Sequence, residues 1–195
     1  RFGADPRVRV FHASFADLDR LAADLRFDGI LFDLGISSPQ LDQAERGFSF
    51  MQDGPLDMRM NPTQGPSAAD IVNTASQGEL AQLFRELGEE RWAQKIARAI
   101  VADRIATPFT RTRQLAGLIE RVAPRTERNK HPATRVFQAL RMRVNGELEQ
   151  LRAGLDAALR CLAPGGRIAV ISFHSLEDRL VKHFLRRHSQ PDPVY

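Results

Sequence analysis

The spacing of apolar and polar positions changes along the chain, and the changes mark its elements. Residues 7–11, RVRVF, alternate as a short strand does. SFADLDRLAADL, from Ser14, then sets Phe15, Leu18, Leu21 and Leu25 at helical spacing behind a serine suited to an N-cap. DGILFDLG follows, and Ile30, Leu31, Phe32 and Leu34 form the near-continuous apolar run of a strand buried in a parallel sheet. Strand, helix, strand predicts a right-handed parallel crossover.

The far end repeats this grammar. GELEQLRAGLDAALRCLAPGG keeps Leu148, Leu151, Leu155, Leu159 and Leu162 on one helical stripe and stops at Pro164 and Gly165-Gly166. RIAVISF, residues 167–173, is then a second buried strand. HSLEDRLVKHFLRR opens a helix with Ser175 and places Asp178 three residues on, a capping-box variant. Both ends predict one α/β domain, residues 1–41 with 131–195. Between them, from Leu41 to about Lys130, no strand pattern is found. A loop rich in Gly, Pro and Met, RGFSFMQDGPLDMRMNPTQGP, leads into helical patterns over 74–88, 89–105 and 110–122. In the second, Trp92, Ile96 and Ile100 make an apolar face beside a basic stripe of Arg91, Lys95 and Arg98. Residues 42–130 are therefore expected to be an all-helical insertion in the α/β domain.

With 195 residues, 43% hydrophobic and 27% charged, the chain can bury a core. No stretch approaches the roughly 20 apolar residues of a membrane span, so no membrane partner is expected, and no apolar leader pattern opens the chain. The single cysteine, Cys161, excludes an internal disulfide framework and reads as a core residue of a reduced, cytoplasmic protein. The net charge is only +4, but basic residues crowd residues 104–143, with Arg111, Arg113, Arg121, Arg125, Arg128, Lys130, Arg135 and Arg141 set against Glu120 and Glu127. Such a block suits a phosphate-bearing polymer or forms a solvated face.

Open parallel sheets bind ligands beyond the carboxyl ends of their strands. Three strand exits are expected to converge there: Asp33 to Gln40, Phe173 to Asp178, and Ser14 with Phe15. Asp33 could hold a polar cofactor group, and Pro39 fixes a turn that presents Ser37, Ser38 and nearby carbonyls as acceptors. Of five histidines only His174 sits at such an exit, where it is a candidate substrate contact. Phe48 and Phe50 follow the turn and could either stack a base or pin the loop to the core, with Met51, Met58 and Met60 as loop filler. No His/Cys cluster has metal-ligand spacing. A hydrolase triad of Ser37, His174 and Asp33 or Asp178 lacks the G-x-S-x-G elbow that exposes a nucleophile.

These residues also carry a resemblance. DGILFDLGISSPQLDQAERGFSFMQDGPLDMRMNP, GEERWAQKIARAIV, KHPATRVFQALRMRVNGELEQL and LAPGGRIAVISFHSLEDRLVKHF are similar, in the same order, to the bacterial 16S ribosomal RNA cytosine-N4 methyltransferases of the MraW type. The resemblance implies a class I, Rossmann-like core dependent on S-adenosyl-L-methionine, with the helical insertion as an RNA-recognition domain. It implies cofactor contacts at Phe15, Asp33 and Gln40 and a cytosine of the decoding centre as target; for such an amine, a poor nucleophile that needs hydrogen-bond acceptors, the turn at Ser37, Ser38 and Pro39 is the expected catalytic element. Substrate contacts are assigned to His174, Phe48, Arg91, Lys95 and Arg98. Measured against that family the chain reads as truncated at both ends, without the glycine-rich cofactor loop. This keeps a non-catalytic RNA-binding role open as an alternative, and an exposed sheet edge keeps pairing with a second copy open too.

Overall fold

A computed structural model describes residues 5–22, 24–124 and 131–189. The chain divides into two compact units, residues 1–35 with 147–195, and residues 36–146.

The first unit is α/β. Its strands β1 (Phe27–Asp33) and β2 (Leu162–Ile171) pair in parallel, in continuous register from Gly29 opposite Arg167 to Asp33 opposite Ile171. The Leu34 amide extends the ladder by donating to the Ile171 carbonyl at 3.2 Å. The expected stop at Pro164 to Gly166 lies inside β2 as an irregularity: the register shifts between Phe27 and Gly29, and Gly165 takes φ +79°. Proline cannot donate to the ladder, and glycine absorbs the displaced backbone. β2 ends at Ile171, so Phe173 lies past it and exposed. On one face Phe32 and Leu34, with Ile30, Ile168 and Val170, pack against Leu151, Leu155 and Ala158 of α8 (Glu147–Cys161) and Val181 of α9 (Ser175–Ser189). On the other, Leu31 is 65% exposed, so among the described residues β1 is buried on one side only, and not on both as its apolar run predicts.

Residues 7–11 form no strand, and Val10 is 81% exposed. Alternation alone makes no strand, and among the described residues no neighbouring strand pairs with this one. Ser14 does act as an N-cap. Its hydroxyl accepts from the Ala16 amide at 3.1 Å, opening a 3-10 turn (Phe15–Asp17) that runs into α1 (Leu18–Ala22). This segment is fastened along α8. Ser14 Oγ donates to Gln150 Oε1 at 2.8 Å, Gly154 faces the Phe15 ring, and Arg160 pairs with Asp19, holding that carboxyl below its usual range. Cys161 is buried on the same helix, as expected of a core thiol, whereas Leu159 is exposed and Leu162 begins β2. Ser175 is the first residue of α9 and no capping box forms: Asp178 pairs with Lys182 at 2.8 Å, and Glu177 Oε2 accepts from the Phe173 amide at 3.0 Å.

The second unit is helical: α2 (Ser38–Asp42), α3 (Ala68–Thr74), α4 (Gln77–Glu86), α5 (Ala93–Asp103), α6 (Thr112–Val122) and α7 (Thr134–Asn145). The pattern predicted as one helix over 74–88 is split, because Ser76 caps α4 through the Glu79 amide, and α3 before it has its own Ser67–Asp70 capping box. Val136, Phe137 and Leu140 of α7 join the core made by Leu80, Phe84, Ile96, Ile100, Leu115 and Ile119. Residues 131–146 accordingly cluster with the helices, and the unit boundaries fall at 36 and 146, where the sequence suggested 42 and 130.

The loop before α3 is pinned through its backbone. Leu56 N donates to Thr110 O at 2.9 Å, Ala68 N to Asp57 O at 2.8 Å, and Asn145 Nδ2 to Met58 O at 2.8 Å. Met58, at φ +64° and 0% exposure, is the loop's buried plug, while Met51 and Met60 are exposed and fill nothing. Arg59 pairs with Asp57 at 2.7 Å and draws its carboxyl below the ordinary range.

Glycines report how tightly these parts approach. A Cβ on Gly54 would fall on the Ala44 carbonyl, and one on Gly154 would lie 2.5 Å from Phe15 Cδ2. Gly54→Ala is expected to destabilise the chain by about 1–3 kcal/mol, the range for overpacking, in chemical denaturation. Gly154→Ala should displace the Phe15 ring, seen as loss of Phe15–Phe32 cross-peaks in NMR. Gly117, in α6, has nothing within 4 Å of its would-be Cβ, so Gly117→Ala should instead stabilise by about 0.5–1 kcal/mol.

Candidate functional site

In the α/β unit the parallel register brings both strand exits to one edge. Asp33, the last residue of β1, is exposed, and its carboxylate makes no hydrogen bond or ion pair among the described residues. An acid at a strand end with no partner is poised to accept hydrogen bonds from a ligand. Phe15 stands edge-on to Phe32, ring centroids 5.6 Å apart at 82°, with 40% of its own surface exposed. Its backbone leaves a loop and not the strand expected before it, so two strand exits, not three, meet in this unit.

His174, expected to face a substrate, has a side chain only 10% exposed. Its Nδ1 accepts from the Glu177 amide at 3.4 Å, which places the proton of a neutral ring on Nε2. Nε2 lies 3.1 Å from Glu177 Oε1 at an angle outside hydrogen bonding, and is a buried nitrogen without a hydrogen-bond partner. Glu147, at the start of α8, brings a third such group, and ligand atoms of the three lie within 4.8 Å of one another. Glu177 and Glu147 were missed from the sequence; the H-x-x-E spacing at a helix start was the available signal for the first. The Glu177 carboxylate ties the Phe173 amide and the His174 ring to α9, so this cluster shapes the β2 exit from beneath.

In the helical unit, Ser37, Ser38 and Pro39 do not form a free-standing turn but the start of α2, with Ser37 at the N-cap and proline in the first turn, where its missing N–H costs nothing. Gln40 Oε1 accepts from the Ser37 amide at 2.9 Å and the Ser37 hydroxyl at 3.1 Å. Two consequences follow. The Ser37 hydroxyl proton is committed, leaving its lone pairs as acceptors on an exposed residue. The Gln40 carbonyl is also committed, so its contact with any ligand falls to its Nε2 amide.

Phe48 is 6% exposed within the helical core, with the Arg46 guanidinium 5.6 Å from its ring centroid. Its ring pins the loop and is not presented for stacking on a base. Phe50 is likewise engaged, with ring centroids 4.5 Å from His131 and 4.8 Å from Phe137.

Arg91, Lys95 and Arg98 are all exposed along one side of α5, with Lys95 Nζ 5.8 Å from the half-exposed Trp92 ring. The basic block after α5 behaves differently. Arg104 donates to the carbonyls of Val72 and Ala75 at 2.8 and 2.6 Å, Arg111 pairs with Asp53, Arg113 donates to Met51 O at 3.0 Å, Arg121 pairs with Asp103 at 2.8 Å, and Arg135 donates to Glu89 O at 2.7 Å. These cations cap and staple the helices. Arg125, Arg128 and Lys130 lie outside the described residues.

Comparison with known proteins agrees over almost the whole length. The chain is 56% identical over 193 residues to the ribosomal RNA small subunit methyltransferase H of Idiomarina loihiensis, covering 97% of this chain and 61% of that protein. It is 57% identical over 198 residues to the protein of the same name in Shewanella amazonensis, covering 100% and 63%, and 59% identical over 186 residues to that of Chromohalobacter salexigens, covering 93% and 56%. The chain thus spans about three-fifths of the length of these relatives. Residues 2–194 match the family model described as the MraW methylase family, and the chain belongs to that family.

Proposed function

We propose that the chain carries the methyl-acceptor turn and part of the cofactor site of an S-adenosyl-L-methionine-dependent methyltransferase, acting on the exocyclic N4 amine of a decoding-centre cytosine in 16S rRNA of the small ribosomal subunit. The α/β unit is read as part of a class I, Rossmann-like core, and the helical unit as an inserted RNA-recognition domain. The observation that carries the reading is the exposed Asp33 carboxylate, without a partner among the described residues, four positions before a serine whose hydroxyl proton is already given to Gln40. No helix of the described residues is long and apolar enough to cross a membrane.

The residues present fit such a cofactor. Asp33 offers a charged acceptor, the Phe15 ring a half-exposed apolar face, and Gln40 an amide donor. When bound, S-adenosylmethionine supplies an electrophilic methyl on a sulfonium. The chain's own residues have to position the acceptor amine, whose lone pair is delocalised into the cytosine ring. Accepting its N–H hydrogens localises that lone pair and stabilises the positive charge that develops, and this is the work assigned to Ser37 Oγ, Ser38 Oγ and the carbonyls beside Pro39. His174 acts here through its tie to Glu177, as a positioning residue at the β2 exit.

Calorimetric titration with S-adenosylmethionine tests the reading most directly. Asp33→Ala should weaken binding by at least about 1.5 kcal/mol, the range for a lost charged hydrogen bond, with little change in unfolding midpoint. A chain that binds 16S rRNA but no cofactor would favour the non-catalytic alternative. In single-turnover methyl transfer to small ribosomal subunits, Pro39→Ala should lower the rate more than it lowers cofactor affinity, since misplacement by about 1 Å costs on the order of 100-fold. Ser38→Ala should act in the same direction but more weakly.

The stripe on α5 makes a separate prediction. Neutralising Arg91, Lys95 and Arg98 should reduce the slope of log affinity for 16S rRNA against log salt by roughly one unit per lost phosphate contact, leaving cofactor affinity intact. An unchanged slope would mean that the three charges are a solvated face.

A further inference from the structure

The α/β unit has a groove of its own, between α8 and α9, with a volume of about 510 Å³. Leu148, Arg152 and Asp156 line it from α8, four residues apart and so on one stripe of that helix. α9 contributes two adjacent stripes at the same spacing: Leu176, Leu180, Phe184 and His188 form one, and Arg179, His183 and Arg187 the other. The first is apolar and floors the groove, with the Phe184 and His188 rings 4.5 Å apart and tilted by 45°. The second is basic and exposed, and lines the same groove as Arg152.

A plain amphipathic helix would bury its apolar stripe and put its charges in bulk water. Here Leu180 and Phe184 pack against the strand core yet, with Leu148 and Leu176, stay only half buried and line a concavity shared with exposed arginines. Arg152 and Arg187 outnumber Asp156 in the lining, so the cleft is cationic even with both histidines neutral and Arg179 left out of the count. Arg152 and Arg187 make no hydrogen bond or ion pair among the described residues, unlike the stapling arginines of the helical unit. An apolar and aromatic floor under a cationic rim matches a polymer with flat faces and a phosphate backbone, because bases stack on rings while guanidinium groups take the phosphates.

We infer that the α8–α9 groove is a second RNA-binding surface, which holds a single-stranded segment of the ribosomal RNA by base stacking on Phe184 and His188 and phosphate contacts to Arg152 and Arg187. The inference rests on the RNA-methyltransferase reading and adds a footprint in the α/β unit, apart from the stripe on α5. An acidic polypeptide is the competing occupant, since it would use the cationic rim and leave the rings unused.

The test is 16S rRNA binding across a range of salt with the Arg152→Gln/Arg187→Gln variant, together with ultraviolet crosslinking of the unaltered chain to a single-stranded oligoribonucleotide. Both arginines are exposed, so folding should persist, as circular dichroism will check. The salt slope should fall by roughly one unit for each arginine removed, cofactor affinity should be unchanged, and crosslinks should map to the α9 segment 184–188. If the slope is unchanged while neutralising Arg91, Lys95 and Arg98 lowers it, the groove assignment is wrong and the RNA reading stands. If neither set alters the slope, both fail. Displacement of the oligoribonucleotide by polyglutamate with no crosslink to α9 would overturn the proposal in favour of a protein partner.

Discussion

Parallel pairing of Gly29–Asp33 with Arg167–Ile171 is the constraint on which the α/β unit depends. Side chains alternate across a strand, so a one-residue slip would turn Phe32 and Leu34 away from Leu151, Leu155 and Val181, and the apolar core formed by the described residues of this unit would be lost. The same register puts Asp33 beside Ile171. The chain segments that carry chemistry after each strand therefore leave from one edge, although most of the sequence lies between them. α8 supplies the second half of this arrangement: through Gln150, Gly154 and Arg160 it holds the segment from Ser14 to Asp19, and so decides where the Phe15 ring stands.

The helical unit obeys a different constraint. Its long loop carries little regular structure, yet between Gly54 and Met58 its backbone groups are bound by α3, α7, the start of α6 and Arg46, so its buried stretch is satisfied without a helix or a sheet. This explains its composition better than flexibility does. Glycine at 54 is required by contact with the Ala44 carbonyl, and Met58 plugs the core from a left-handed backbone position.

Strong periodicity made most elements legible. β1, α5, α6 and α8 follow from apolar spacing, and the Ser14 cap from a simple local rule. What failed depended on partners. Residues 7–11 alternate like a strand, but a strand exists only by pairing. Helix 74–88 was read as continuous because its apolar spacing survives the break at Ser76, and only the serine–glutamate cap betrays the boundary. Phe48 and Met58 lie in the same polar-looking loop as the exposed Met51, and no sequence period separates the buried from the exposed. Asp33 and Ser37–Gln40 stand out as candidates from their place after a strand, whereas Glu147, Glu177 and Gly154 do not, since each matters through a residue distant in sequence or a turn of helix away.

Charge shows the same limit most clearly, and with functional weight. Basic residues crowd the long stretch from Arg104 to Arg135, yet Arg104, Arg111, Arg113, Arg121 and Arg135 spend their guanidinium groups on carbonyls and carboxylates of the protein. A cation neutralised by an internal carboxylate must break that pair before it can displace a counterion from a phosphate, so it adds little to polyanion binding. Arg91, Lys95 and Arg98, fewer in number, are exposed just before α5 and along it, and Arg152 and Arg187 line a cleft. Density of charge along a sequence thus located the helical staples. Cations spaced by helical turns, without a hydrogen bond or ion pair among the described residues, are open to a polyanion in a way that the stapling arginines are not.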